Sequence, residues 1–162
     1  MRLKIVRRLS LEEVKKRLQE HEIANRMPFS EFEKQFIEGK VDPGLFGEYV
    51  EWADLLHAYE AYVEGGELDY VVEETWRMKP EELEKMLNPR RLELLEMISG
   101  SHIESINDVA RKVGRNVRNV YDDLKLLEKK GFLHFRKVGK KKMVPETRIE
   151  EVSVIIHQRR PR

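Results

Sequence analysis

The residues best suited to do chemistry in this sequence lie between positions 115 and 142. Arg118, Asp122, Lys125 and Lys129 recur at spacings of four, three and four, with Asn119 beside them and Arg115 and Asn116 just ahead. On a helix that spacing lines one face, opposite Val117, Val120, Leu124 and Leu127. A guanidinium matches O6 and N7 of guanine, a carboxamide matches N6 and N7 of adenine, and a carboxylate accepts from the amino group of cytosine. Asp122 opposes a polyanion unless it orients Arg118 one turn away or meets such an amino group. Tyr121 borders the apolar side, so both core packing and a contact remain open for it. Further on, Lys137, Lys140, Lys141 and Lys142 surround Gly139. Lysines on a loop neutralise phosphates and release counterions, which gives a salt-sensitive affinity; the bland alternative is a solubilising turn. Together these residues suit double-stranded DNA.

The elements around them are readable. Ser105 stands where a cap belongs, with Ile106, Val109, Ala110 and Val113 inward and Gly114 turning the chain. A second helix over about 117–130 follows, closed by Gly131. Two helices joined by a short glycine-containing turn form a helix-turn-helix. Phe132–Lys137, a turn at 138–141 and Lys142–Pro145 then predict a hairpin with a lysine tip, where a winged helix keeps its wing. Upstream, alternation of Leu68, Tyr70 and Val72 predicts a strand. Pro80 opens a short helix, and Asn88-Pro89 starts another whose inward face is Leu92, Leu95 and Ile98, with Met97 a further candidate. Arg148–Ile156 reads as a strand that extends the wing's sheet or pairs across a two-fold axis. Arg159, Arg160 and Arg162 make a basic tail.

The first third predicts three helices. Ser10 and Glu13 have the spacing of a capping box, and that helix carries Leu11, Val14 and Leu18 to about Glu22. Phe29, Phe32 and Phe36 form a helical stripe. After Asp42-Pro43, Leu45, Tyr49, Trp52, Leu56, Tyr59 and Val63 share a side up to Gly65-Gly66. Phe32, Phe36, Tyr49, Trp52 and Tyr59 either pack on one another in a small bundle or are completed by another chain, because aromatics dominate binding energy at interfaces.

Charge separates the two regions. The whole chain of 162 residues has 31 Lys plus Arg against 30 Asp plus Glu. Residues 1–87 hold 13 against 20, whereas residues 88–162 hold 18 against 10. An acidic half beside a basic half points to a polyanion for the basic one and a basic protein for the acidic one. The absence of cysteine excludes disulfides, Cys-based zinc sites, iron–sulfur clusters and thiol nucleophiles. The five histidines at 21, 57, 102, 134 and 157 have no paired ligand spacing, and the glycines form no phosphate-binding fingerprint. Neither catalysis nor a cofactor nor a metal is expected. No apolar run approaches the roughly 18 residues a membrane span requires, and none forms a signal peptide, so a soluble cytoplasmic protein is expected.

The stretch from about Glu67 to Ile156 resembles the MarR/ArsR-like winged helix-turn-helix proteins of archaea, in particular a group of transcriptional regulators and antitoxins. The resemblance rests on Lys79-Pro80-Glu81-Glu82-Leu83, Arg90-Arg91-Leu92-Glu93-Leu94-Leu95, the run Asp108–Val117 and the run Leu127–Leu133. It implies DNA binding by the helix over 117–130 and by the wing, commonly as a homodimer. Met27–Val63 is similar to toxin-facing or self-associating regions of prokaryotic antitoxins, through Met27, Phe29, Glu31 and Phe32 and through Val41, Pro43, Leu45, Phe46, Glu48, Tyr49, Glu51 and Trp52.

The expectation is a mainly α protein with a small β wing. An acidic helical interaction domain occupies 1–66, a winged helix-turn-helix domain 67–157 and a basic tail 158–162. Its function would be that of a DNA-binding regulator, with the antitoxin of a toxin–antitoxin pair as one form and a basic toxin as partner. The alternative is a winged helix that contacts protein or RNA without operator binding.

Overall fold

The computed structural model describes residues 1–156; His157 and the basic tail lie outside the described residues. In chain order the elements are β1 (Arg2–Arg8), α1 (Leu11–Asn25), α2 (Phe29–Ile37), a 3-10 turn (Pro43–Leu45), α3 (Phe46–Gly65), β2 (Val71–Arg77), α4 (Pro80–Met86), α5 (Pro89–Gly100), α6 (Ile106–Val113), α7 (Val117–Lys129), β3 (His134–Val138), β4 (Lys142–Glu146) and β5 (Ile149–Ile155). The described chain is mainly α with a small antiparallel β part. No helix among the described residues is long and apolar enough to cross a membrane.

The boundary between the halves differs from expectation. The chain divides into a unit of residues 8–72 and a unit that joins residues 1–7 to the chain from 73 onward. The physical reason is β1. Lys4 alternates with Leu3 and Ile5, whose side chains are fully buried, and β1 pairs antiparallel with β5, Leu3 opposite Val154 and Ile5 opposite Val152. The three-stranded sheet has the order β2-β1-β5. Strand β5 therefore neither extends the hairpin sheet of β3 and β4 nor is left for a two-fold axis along its β1 edge. Arg7 joins Glu74 through Nε at 3.1 Å and Nη2 at 2.8 Å. Trp76 Nε1 donates to the same carboxylate at 3.1 Å.

The core of this larger unit gathers Leu94, Ile98, Val109, Ala110, Val120, Leu124, Leu127 and Phe132, with Met86, Ile103, Leu133 and Val144 around them. Full burial of one such aliphatic side chain stabilises by roughly 1.5–3 kcal/mol. Trp76 meets Phe132 edge-on at 5.4 Å and closes over Gly131. A Cβ there would lie 3.4 Å from the indole, and the residue's φ of +86° is one that favours glycine. Two inward assignments are corrected. Leu94, not Leu92, faces the core from α5, and Val117 is exposed at the head of α7. Both errors fall at the first residue of a helical stripe, where the 3–4 spacing continues past the covered side.

The unit of residues 8–72 holds α1, α2 and α3. Ser10 and Glu13 form the predicted capping box, with Glu13 N–H donating to Ser10 Oγ at 3.2 Å and Ser10 N–H to the Glu13 carboxylate at 2.8 Å. Leu9, Val14 and Leu55 make its aliphatic core, with Leu68, Tyr70 and Val72 packed on it. Those last three were expected in a strand; only Val72 falls within β2. Leu9 N–H donates to Tyr70 O at 2.9 Å, which ties the two ends of the unit together.

Its aromatics stack on each other. Phe32 lies 5.2 Å from Trp52, and Phe36 lies 4.8 Å from Tyr49 with the rings parallel to within 2°. Phe32 and Trp52 are 2% and 1% exposed, so these two are core residues and no partner can reach them. Phe36, Tyr49 and Tyr59 are half-buried, and Tyr59 packs on the aliphatic core. Leu55 takes the inward place, while Val63, expected on that side, is exposed. Tyr49 donates its hydroxyl to Glu33 at 2.8 Å, and that carboxylate raises the phenol's pKa.

Candidate nucleic-acid interface

Helix α6 is fastened at its start by one buried carboxylate. Ser105 Oγ accepts from Asp108 N–H at 3.1 Å. The Asp108 carboxylate accepts from Glu104 N–H at 3.0 Å and Arg111 at 2.6 Å, and pairs with Lys112 at 3.3 Å. The Glu104 amide chiefly, then Arg111 and Lys112, outweigh desolvation and lower the Asp108 pKa from 3.8 to about 2. Gly114 ends α6 with φ +67°, a left-handed position where glycine carries no Cβ strain. The next helix begins three residues on. Asn116 is its cap, accepting from Arg118 N–H at 2.9 Å and Asn119 N–H at 3.4 Å.

Helix α7 buries Val120, Leu124 and Leu127 and turns Arg118, Asn119, Asp122, Lys125 and Lys129 outward, so the predicted stripe is present as an exposed face. Arg115 is the exception among the expected contacts. Its Nη2 donates to Asp123 at 2.6 Å, and Asp123 also accepts from Arg91 Nε of α5 at 3.1 Å. These three side chains are largely buried, and Arg115 Nη1 is buried with no hydrogen-bond partner among the described residues. Arg115 thus ties the turn before α7 to Asp123, the carboxylate that Arg91 links to α5, and does not face outward. Asn116 is likewise occupied as a cap. Lys125 donates to Glu128 at 2.6 Å, lies 5.3 Å over the Phe135 ring, and has its pKa raised by the Glu128 carboxylate.

The hairpin pairs His134 with Glu146 and Val138 with Lys142. At its open end Glu146 accepts from Arg136 and lies 3.1 Å from His134 Nε2. Burial and then the neighbouring Arg148 lower the His134 pKa. At the other end Gly139 takes φ +64° and presents Lys140, Lys141 and Lys142 to solvent.

A cleft of about 950 Å³ opens between the hairpin and the helices. It brings together Asn116, Arg118, Tyr121, Asp122, Lys141 and Lys142 from the sequence reading, and adds Val117, Met143 and the start of α6 at Ser105–Asn107. Asn119, Lys125, Lys137 and Lys140 lie outside its lining, and all four are exposed. Arg118, Lys141 and Lys142 have no ion-pair partner among the described residues, so the cleft holds three uncommitted cations against the single carboxylate of Asp122. Val117 was missed because it shares the spacing of the inward positions. Met143 was missed because the alternation of a short hairpin does not say which face is covered. Among the described residues no group of three or more His, Asp or Glu is placed to hold a metal ion.

No curated protein and no solved structure matches the chain. The sequence model of a family described as HVO_A0114 matches residues 86–154, less than half of the chain, and the match takes in α5, α6, α7, the hairpin and most of β5.

Proposed function

We propose that this protein is a sequence-specific regulator of transcription that binds double-stranded DNA through a winged helix-turn-helix, with α6 and α7 as the two helices and the β3–β4 hairpin as the wing. The observation that carries the reading is the convergence of Arg118, Lys141 and Lys142 on one cleft, where none of the three has an ion-pair partner among the described residues and Asp122 is the single carboxylate. A recognition helix enters the major groove with its N-terminal residues on base edges, and Arg118 is in the first turn of α7. Lysines on the flanking hairpin meet phosphates, which supplies affinity without sequence preference. A single module of this size contacts few base pairs, so two copies on a symmetric site are the route to specificity. The resemblance to MarR/ArsR-like regulators supports the same reading.

Residues 8–72 carry 7 Lys plus Arg against 15 Asp plus Glu. That charge supports a basic protein as partner of the helical unit, as in an antitoxin that holds its toxin. With Phe32 and Trp52 committed to the core, Phe36 and Tyr49, together with the exposed Phe46 that packs beside both, are the aromatics left for such a partner.

The test is selection of bound duplexes from a random pool, followed by fluorescence titration of the enriched site with wild type and Arg118→Ala. A consensus whose preference at one G·C pair is relaxed in the variant supports the reading. Equal binding to every duplex by both proteins overturns it and leaves a module for protein or RNA.

A further inference from the structure

Three large apolar side chains stand open among the cations of the cleft: Val117 at 44% exposure, Tyr121 at 43% and Met143 at 41%. Val117 and Tyr121 are one helical turn apart, in the row beside Arg118 and Asp122, and Met143 comes from β4. Val120, Leu124 and Leu127 of α7 are fully buried and Leu126 packs half-buried against the same core, whereas neither Val117 nor Tyr121 belongs to that cluster, so this pair does not serve the core. Nothing in helix formation asks for valine as the first residue after the cap, where acidic residues and proline are favoured.

An occupant of this cleft has to satisfy two demands at once. It must be anionic, because Arg118, Lys141 and Lys142 outnumber Asp122, and it must present small apolar groups between its charges. On a DNA duplex the thymine C5 methyl is the one apolar group displayed on a major-groove base edge, and it lies between rows of phosphates. Resting on the DNA-binding reading above, we infer that Val117, Tyr121 and Met143 form a subsite for a thymine methyl, adjacent to the base edge read by Arg118. Such a subsite ranks A·T against both G·C and the reversed pair, since only one strand's methyl can enter it.

Deoxyuridine removes that methyl and changes nothing else on the base edge, so it isolates the contact. The full-length protein is titrated against its selected duplex and against copies in which each thymine in turn is deoxyuridine. The expected result is a loss of about fourfold at one or two positions, the value of burying one methyl-sized group, which vanishes in Val117→Ser or Tyr121→Ser proteins. Both positions are exposed, and thermal melts check that the variants fold. A wild-type protein that prefers its selected site yet binds every deoxyuridine duplex as tightly as the parent overturns the inference and leaves DNA binding intact. A deoxyuridine loss that persists unchanged in Val117→Ser, Tyr121→Ser and Met143→Ser overturns it too. Absence of any site preference is the failure of the DNA reading itself. A change of oligomeric state in Val117→Ser, read by sedimentation, would assign the patch to a second copy of the chain.

Discussion

Arg115 donates to Asp123 at 2.6 Å, from the turn before α7 to a carboxylate two helical turns along it. Arg91 of α5 shares that carboxylate, so three charges in one largely buried cluster fix the position of α7 against the helix behind it.

Removing the carboxylate should act on folding first. Asp123→Asn leaves two guanidiniums facing each other, and charge-assisted hydrogen bonds of this kind contribute about 2 kcal/mol each. Urea unfolding should show a loss on that order for Asp123→Asn and for Arg115→Gln. A double-mutant cycle should find the two losses well short of additive. At temperatures where the variants are folded, the base preferences that the proposed DNA binding implies should stay those of wild type. A relaxed preference in Arg115→Gln would return this residue to the DNA contacts.

Asn116 permits a similar separation of roles. As a cap it satisfies the first free amides of α7, and truncation of such a cap costs about 1 kcal/mol. Asn116→Ala should lower stability by that amount while Asn116→Ser restores most of it. If Asn116 instead read a base, serine would rescue the fold without rescuing DNA affinity.

Local rules made much of this legible in advance. Ser10, Asn88 and Ser105 are the helix caps that their spacing announces, and Gly114 supplies the turn; Asn116, expected at phosphate or base edges, caps α7 instead. Periodicity failed at the edges of stripes, where Leu92 and Val117 satisfy a 3–4 spacing but lie just beyond the covered side. It failed more deeply for β1. Leu3 and Ile5 alternate with a lysine, yet their partners Val154 and Val152 lie about 150 residues away, and no local signal reports a pairing at that distance. The same holds for Arg115: its type suits phosphate, and only packing reveals that Asp123 claims it. The cleft was half legible, because Arg118, Lys141 and Lys142 follow from charge and turn position whereas Val117 and Met143 depend on which faces the core leaves open.

On the proposed DNA binding, the lysines of the β3–β4 hairpin should reveal themselves through salt. Each phosphate neutralised contributes about 0.9 to the slope of log affinity against log salt. Changing Lys140, Lys141 and Lys142 together to Ala should weaken binding to selected and unselected duplexes alike and flatten that slope by about 2 to 3. An unchanged slope would make the hairpin tip a solvated turn, the bland alternative for these residues.

Asp108 should set an acid limit on the larger unit. Its pKa is lowered from 3.8 to about 2 in the fold, so the unfolded chain takes up the proton first as pH falls. Its contribution is complete above 3.8 and disappears as pH drops through about 2. Thermal melts of Asp108→Asn should show a lower midpoint at neutral pH and a gap from wild type that narrows across that window. A gap that stays constant down to pH 2 would show that the ionised form is not what the amide of Glu104 and the side chains of Arg111 and Lys112 select.

The path of the chain makes the strongest claim open to test. Strands β1 and β2 are neighbours in one sheet, and the chain between them builds the whole helical unit before returning. Leu9 N–H and Tyr70 O are already at hydrogen-bond distance, the geometry found where two antiparallel strands are joined by a two-residue turn. Replacing residues 10–69 with Asn-Gly should therefore close an ordinary hairpin and leave the unit of β1, β5 and the helices α4 to α7 folded. Circular dichroism and a cooperative melt would report this, and DNA binding by the shortened protein should keep the affinity and salt slope of the full chain. Loss of a cooperative transition would mean that residues 8–72 stabilise the remainder. In contrast, deleting residues 1–7 from the full chain removes Leu3 and Ile5, two fully buried side chains. Truncating either one alone to Ala costs about 2–5 kcal/mol. The short N-terminal deletion should therefore abolish the fold that the much longer internal one preserves, an ordering that a boundary at residue 66 does not predict.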